Sequence, residues 1–231
     1  MATALRRPLP TLKVKNVPPP RLPSPEKTST KSKDNQKNLN PLEKRLLNIR
    51  LHLLQNTTRR TQPPSEPTLV FDTFLYLGGL KSLSNKTRLK RLKITHILSV
   101  VFIPPAKNLI PPNTKHLFLK ADDSAVFKMT PYFEQACQFI EEARIEKGAV
   151  LVHCVCGVSR STTLCCAYLM KHHSMTIEQA LVRLRSQRHI IQPNPGFLRQ
   201  LVLYGERLLE AEQANRDKTT IDTITEELKN I

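Results

Sequence analysis

Ala149-Val150-Leu151-Val152-His153-Cys154-Val155-Cys156-Gly157-Val158-Ser159-Arg160-Ser161 is the stretch on which the reading of this chain turns. Its first five residues show no polar alternation, which predicts a strand buried on both faces and central in a sheet. Helical spacing resumes at Ser161, so the segment reads as strand, short loop, helix. A loop leaving the carboxyl end of a parallel strand and entering a helix aims its backbone N–H groups and the helix dipole at one point, a site for an anion. Gly157 permits a tight turn and a close approach to that anion. Arg160 offers a planar fork for two oxygens of a phosphate. Cys154, at the mouth of the cradle, occupies the kind of setting in which thiol pKa values fall to roughly 3.5–7.5. A thiolate beneath a bound phosphate is aligned for in-line attack on phosphorus.

Working outward, Leu69–Phe71, Phe74–Leu77, Ile94–Val100 and His116–Leu119 read as further strands. Helices are predicted around Leu83–Leu92, over 131–147 with Gly148 as the stop, and over 161–172. Two more follow at 177–187 (Thr176 cap, Gln179 three residues on) and 195–212 (Asn194 cap, Pro195 at the first position). Strands alternating with helices and then a helical cluster predict an α/β domain over 68–212, a small, mainly parallel central sheet flanked by helices.

Composition separates this domain from its flanks. The net charge is +17, of which residues 1–66 carry +10, and 11 of the 18 prolines precede residue 68. Residues 1–67 therefore read as a basic, proline-rich, mostly disordered extension. Asn40-Pro41-Leu42-Glu43 interrupts it with helix-start signals, and Leu42, Leu46, Ile49 and Leu53 share a face, predicting a short helix over 41–54. That helix has three readings: docked on its own domain, bound to a partner, or laid on a membrane surface. Residues 213–231 read as a polar tail. No run approaches the ~20 apolar residues of a membrane span, and Arg6, Arg7, Pro8 and Pro10 stand where a secretory signal would need an apolar core. The acid-free stretch up to Glu26 is compatible with an organelle transit peptide. Five cysteines (137, 154, 156, 165, 166) crowd into 30 residues without C-x-x-C spacing. The expectation is a reducing compartment, cytosol or nucleus. Histidines 52, 96, 116, 172, 173 and 189 form no spaced ligand set, so no metal site and no cofactor are expected.

A cysteine followed six residues later by arginine arises about 0.4 times by chance in a chain of this composition; requiring the central glycine and preceding histidine brings that below about one in a thousand. His153-Cys154-x-x-Gly157-x-x-Arg160-Ser161 resembles the signature of cysteine-dependent protein phosphatases. The flanks Leu75-Tyr76-Leu77-Gly78, Ile94-Thr95-His96-Ile97-Leu98, Tyr132-Phe133 and Asn194-x-Gly196-Phe197-Leu198-x-Gln200-Leu201 narrow the likeness to the dual-specificity phosphatase family, over about residues 68–212. The resemblance implies a protein-phosphatase-like fold, Cys154 as nucleophile, Arg160 as phosphate clamp, and Val155, Cys156, Gly157, Val158 and Ser159 as the phosphate-binding loop. It assigns Ser161 to thiolate release. His153 is read as loop support, since a thiolate needs no base. A leaving oxygen needs a proton; Asp122 and Asp123 are the carboxylates available upstream, and the family pattern selects Asp123. Asn194 is read as a helix cap that could also support the loop. Alanine is usual where this chain has Cys156, so Cys156, Cys165 and Cys166 are candidate resolving thiols should Cys154 be oxidised.

Uncharged variable loop positions favour a phosphoprotein, phosphorylated on tyrosine and also serine or threonine, over a phosphoinositide or an RNA 5′ end; the basic surface alone is poor evidence for nucleic acid. A catalytically weak phosphoprotein-binding module is the alternative of a different class. Arg6-Arg7 with Leu12-x-Val14, and Lys44-Arg45 with Ile49-x-Leu51, resemble docking peptides for mitogen-activated protein kinases, a candidate client.

Overall fold

The computed structural model describes residues 39–55 and 63–229. The chain divides into 1–38 and 39–231, and every described residue lies in the second unit. The expected disorder, transit peptide and first docking peptide fall on residues outside those described.

Five strands form one sheet: β1 (Thr68–Phe71), β2 (Leu75–Gly78), β3 (Ile94–Val101), β4 (Lys115–Lys120) and β5 (Ala149–His153). Their order is β1-β2-β5-β3-β4, with only β1 antiparallel to its neighbour. The all-apolar strand β5 is central, and all five of its residues are buried. Each fully buried Val or Leu there contributes about 1.5–3 kcal/mol, so β5 anchors the loop that follows it.

The helices are α1 (Pro41–Gln55), α2 (Lys86–Arg91), α3 (Phe133–Ile145), α4 (Arg160–His172), α5 (Ile177–Gln187) and α6 (Pro195–Lys229). The helix expected at Leu83–Leu92 is two pieces, a 3-10 turn over Leu80–Leu83 and then α2, because the Asn85 side chain accepts from Arg88 N–H at 2.9 Å and starts a new helix. α4 is buried at every residue from Arg160 to Met170. It packs on β2, β3 and β5, surrounded by α3, α5 and α6. α5 carries the expected capping box of Thr176 and Gln179.

Two expectations are corrected. α6 does not stop at 212 but continues to Lys229; no Gly or Pro follows Gly205 to break it, and the Thr219 and Thr220 hydroxyls donate back to the carbonyls of Asn215 and Arg216. The positive φ after α3 belongs to Lys147 (55°), one residue before the glycine expected to stop it. Of the three readings for α1, docking on its own domain holds. Ile49 and Leu53 are buried, Leu42 and Leu46 pack against the core, and Arg45 makes two hydrogen bonds to Glu178 of α5 at 2.8 and 3.0 Å. The helix expected within the extension is part of the folded unit. No described helix is long and apolar enough to cross a membrane.

Candidate active site

The loop 154–159 leaves β5 and closes on the start of α4, bringing together the residues that the sequence singled out. Cys154 is 1% exposed. Its Sγ accepts hydrogen bonds from the Ser161 hydroxyl and from the Gly157 N–H, each 3.2 Å. Burial alone would push this thiol up; hydrogen bonds from the Ser161 hydroxyl and from the backbone at Ser161 and Val158, with the charge of Arg160, outweigh it and bring the pKa below the ordinary thiol value. Gly157 has φ +67°, and a Cβ there would stand 2.5 Å from the Gly78 carbonyl oxygen. Only glycine fits the turn and the contact with β2 together.

His153 is fully buried. Its Nδ1 faces the Cys154 carbonyl at 3.2 Å and so carries the proton; Nε2 then accepts from the Ser99 hydroxyl at 2.6 Å, and His116 Nε2 donates to the same oxygen at 2.8 Å. Burial depresses the His153 pKa to about 4, with the Cys154 carbonyl pulling partly the other way. The ring is neutral at pH 7 and holds the loop through its N–H.

Arg160 is 7% exposed. Nη1 donates to the Ala121 carbonyl at 3.0 Å, while the buried Nε has no hydrogen-bond partner and lies 3.6 Å from Asp123 Oδ2. Asp123 Oδ1 accepts from the Ser159 hydroxyl at 2.6 Å and from Asn194 Nδ2 at 3.0 Å. Asp122 is exposed too, but its carboxylate accepts from the neighbouring Asp123 N–H at 2.8 Å rather than from the catalytic loop. The two adjacent carboxylates thus have separate surroundings, and Asp123 is the one joined to the catalytic loop.

Sequence reasoning missed Arg188 and the role of Gln200 in this arrangement. Arg188, 1% exposed, donates to the carbonyls of Gly157 (3.0 Å) and Cys156 (3.2 Å) and to the Thr68 hydroxyl (2.9 Å), tying the loop to β1. Nothing in spacing marks it off from the neighbouring arginines. Asn194 caps α6 by accepting from Phe197 N–H at 3.0 Å while its amide holds Asp123. Gln200 accepts from the N–H groups of Met129 and Thr130 and donates to the Phe127 carbonyl, pinning the loop that carries Asp123. Gly196 lets that loop approach: a Cβ there would lie 1.8 Å from the Ala125 carbonyl. The Asn194-x-Gly196-x-x-x-Gln200 spacing was the available signal. Of the other thiols, Cys156 is exposed, while Cys165 and Cys166 are fully buried, which pushes both their pKa values up. Val155 is half exposed at the rim.

Residues 75–207 match the family described as "Dual specificity phosphatase, catalytic domain". The chain is 39% identical over 154 residues to "Dual specificity protein phosphatase 1" of Arabidopsis thaliana, covering 66% of this chain and 74% of that protein. It is 43% identical over 135 residues to "MAP kinase phosphatase with leucine-rich repeats protein 3" of Dictyostelium discoideum, covering 58% of this chain and 15% of that much longer protein. Among solved structures, human DUSP28 superposes with a TM-score of 0.61 at 29% identity, over 65% of this chain and 99% of that one.

Proposed function

The chain belongs to the dual-specificity phosphatase family and is a protein-tyrosine/dual-specificity phosphatase, and we propose that it hydrolyses phosphotyrosine and phosphoserine or phosphothreonine through a phosphocysteine formed on Cys154. The observation that carries this reading is the focus of donors on one thiol: Ser161 and Gly157 at 3.2 Å, with the charge of Arg160 acting on the same sulfur.

The phosphate seats on the backbone of residues 155–159 and on Arg160. The Cys154 thiolate attacks phosphorus as the bond to the leaving oxygen breaks, and Asp123 gives that oxygen a proton. Asp123, now a carboxylate, takes a proton from water as the water oxygen attacks phosphorus. Inorganic phosphate departs, and the thiolate returns to the hydrogen bond of Ser161. His153 keeps the loop in register; Asn194 and Ser159 hold Asp123 in place.

Phosphorylated mitogen-activated protein kinase is a candidate client, supported by the name of one relative. Docking by Lys44–Leu51 is disfavoured, since Ile49 is buried and Arg45 is paired with Glu178. Arg6–Val14 is the remaining candidate peptide. The five free cysteines favour a cytosolic or nuclear setting.

The experiment is turnover of an aryl phosphate and of phosphotyrosine and phosphothreonine peptides, with acid-quench trapping of labelled phosphate on the protein. Cys154→Ser should lose both turnover and label. Asp123→Ala should lower kcat by about 10²–10⁴ while Asp122→Ala stays near wild type. Label retained in Cys154→Ser, or the loss appearing at Asp122, would overturn the assignment.

A further inference from the structure

β3 begins, and α3 ends, at the end of the sheet away from the catalytic loop. There His96 is fully buried. The Thr95 hydroxyl donates its single proton to the Ala149 carbonyl at 3.3 Å, so at 2.8 Å it accepts from His96 Nδ1. In that arrangement the neutral imidazole carries its proton on Nδ1 and leaves the lone pair on Nε2. Phe139 packs edge-on to the ring at 5.2 Å and holds its orientation. Nε2 has no hydrogen-bond partner and faces Glu146 Oε2 at 3.6 Å. Nε2 and one carboxylate oxygen from each of Glu142 and Glu146 all lie within 4.8 Å of one another. A buried lone pair facing two carboxylates is an electron-rich corner that lacks a cation on the nitrogen side. Lys115, opposite His96 in the β3–β4 register, places Nζ 2.5 Å from both carboxylates without bonding to Nε2.

We propose that His96 Nε2, Glu142 and Glu146 form a binding site for a divalent transition-metal ion of the zinc class, with the Lys115 ammonium as its resident competitor. Neutral imidazole with carboxylates is a donor set for such ions; magnesium and calcium prefer oxygen throughout. Ligand atoms around tetrahedral zinc stand about 3.4 Å apart, close to the existing Nε2–Glu146 separation. Glu142 and Glu146 are partly exposed and can rotate the remaining distance. Thr95 supplies the outer hydrogen bond that ligating histidines usually have, and the carbonyl end of α3 adds negative potential. Lys115 is half exposed, so its side chain can swing into solvent when the metal enters. The site would clamp β3 to α3 and is separate from the phosphatase chemistry.

The test is calorimetric titration of zinc chloride into the full chain carrying Cys154→Ser, which removes the catalytic thiol as a ligand, with thermal unfolding as second readout. One site and a zinc-dependent rise in Tm are expected. Glu142→Gln and Glu146→Gln, both at partly exposed positions, should each weaken binding about tenfold or more, and Thr95→Val by about 10–100-fold. Lys115→Ala should tighten it about tenfold, because the competitor is gone. No zinc uptake, uptake indifferent to both Gln substitutions, or no tightening in Lys115→Ala would overturn the proposal and leave only the ion pairs of Lys115 with Glu142 and Glu146.

Discussion

At the carboxyl ends of β5 and β3 the chain gathers donors: the loop N–H groups, the Ser161 hydroxyl, Arg160 and the start of α4 around Cys154. At the amino ends of the same strands it gathers acceptors: Glu142, Glu146, the bare Nε2 of His96 and the close of α3 around the Lys115 ammonium. Each end has a buried histidine, His153 closing β5 and His96 near the start of β3, and each ring donates from Nδ1 to a neighbouring oxygen. The difference comes from direction. α4 follows β5 directly, so its N-terminus lies at the strand's exit; α3 precedes β5, so its C-terminus lies at the entrance. In a parallel sheet with helical crossovers the dipoles line up, and one end favours anions while the other favours cations.

The comparison breaks most completely at Gly157. Gly157→Ala puts a side chain at φ +67° against the Gly78 carbonyl. The left-handed conformation costs about 1–2 kcal/mol, and relief of the clash moves the donors off Cys154. A shift of that kind costs about 10²-fold in kcat/KM, measurable with an aryl phosphate. Wild-type turnover in this variant would mean that the donor geometry is not what drives the chemistry.

Arg188→Met is the next lever. It orphans the buried carbonyl of Gly157, at about 1–3 kcal/mol, and removes the hydrogen bond to the part-buried carbonyl of Cys156. Urea unfolding should register the loss, accompanied by a raised KM for aryl phosphate. Lysine should not restore it, since one ammonium cannot span the three acceptors that the guanidinium fork reaches.

The smallest effect concerns His153 and pH. Its pKa is about 4 folded against about 6.5 unfolded. Above pH 6.5 both states are neutral there, and the group has no effect. As pH falls from 6.5 towards 4, the unfolded chain takes up a proton that the folded one refuses, and stability is lost. The share is about 2 kcal/mol at pH 5, and His116, also depressed by burial, adds in the same sense. Comparing urea midpoints at pH 7 and pH 5 for wild type and His153→Asn measures it. An equal fall in both proteins would remove His153 from the account.

The catalytic end was legible because its parts lie close together in sequence. Cys154, Gly157, Arg160 and Ser161 occupy eight consecutive positions, and a strand–loop–helix unit of that length has few ways to fold. The general acid was legible only to within two carboxylates, until the family pattern selected one. Its separation from Asp122 depends on Ser159 and Asn194, 36 and 71 residues away. The end of α6 was misjudged because exposed polar residues mark a solvated helix and a loose tail alike.

Hydrophobic period and local cap chemistry determined the central strand, the phosphate loop and most of the helices, since these depend on residues within a few positions of one another. The tertiary structure decided which arginine braces the loop, which aspartate meets Arg160, where α1 lies, and that His96 meets two glutamates at the end of α3. Those contacts join residues 31 to 133 positions apart. Periodicity says which face of an element is buried; it carries no information about which polar group on a distant element will be waiting there.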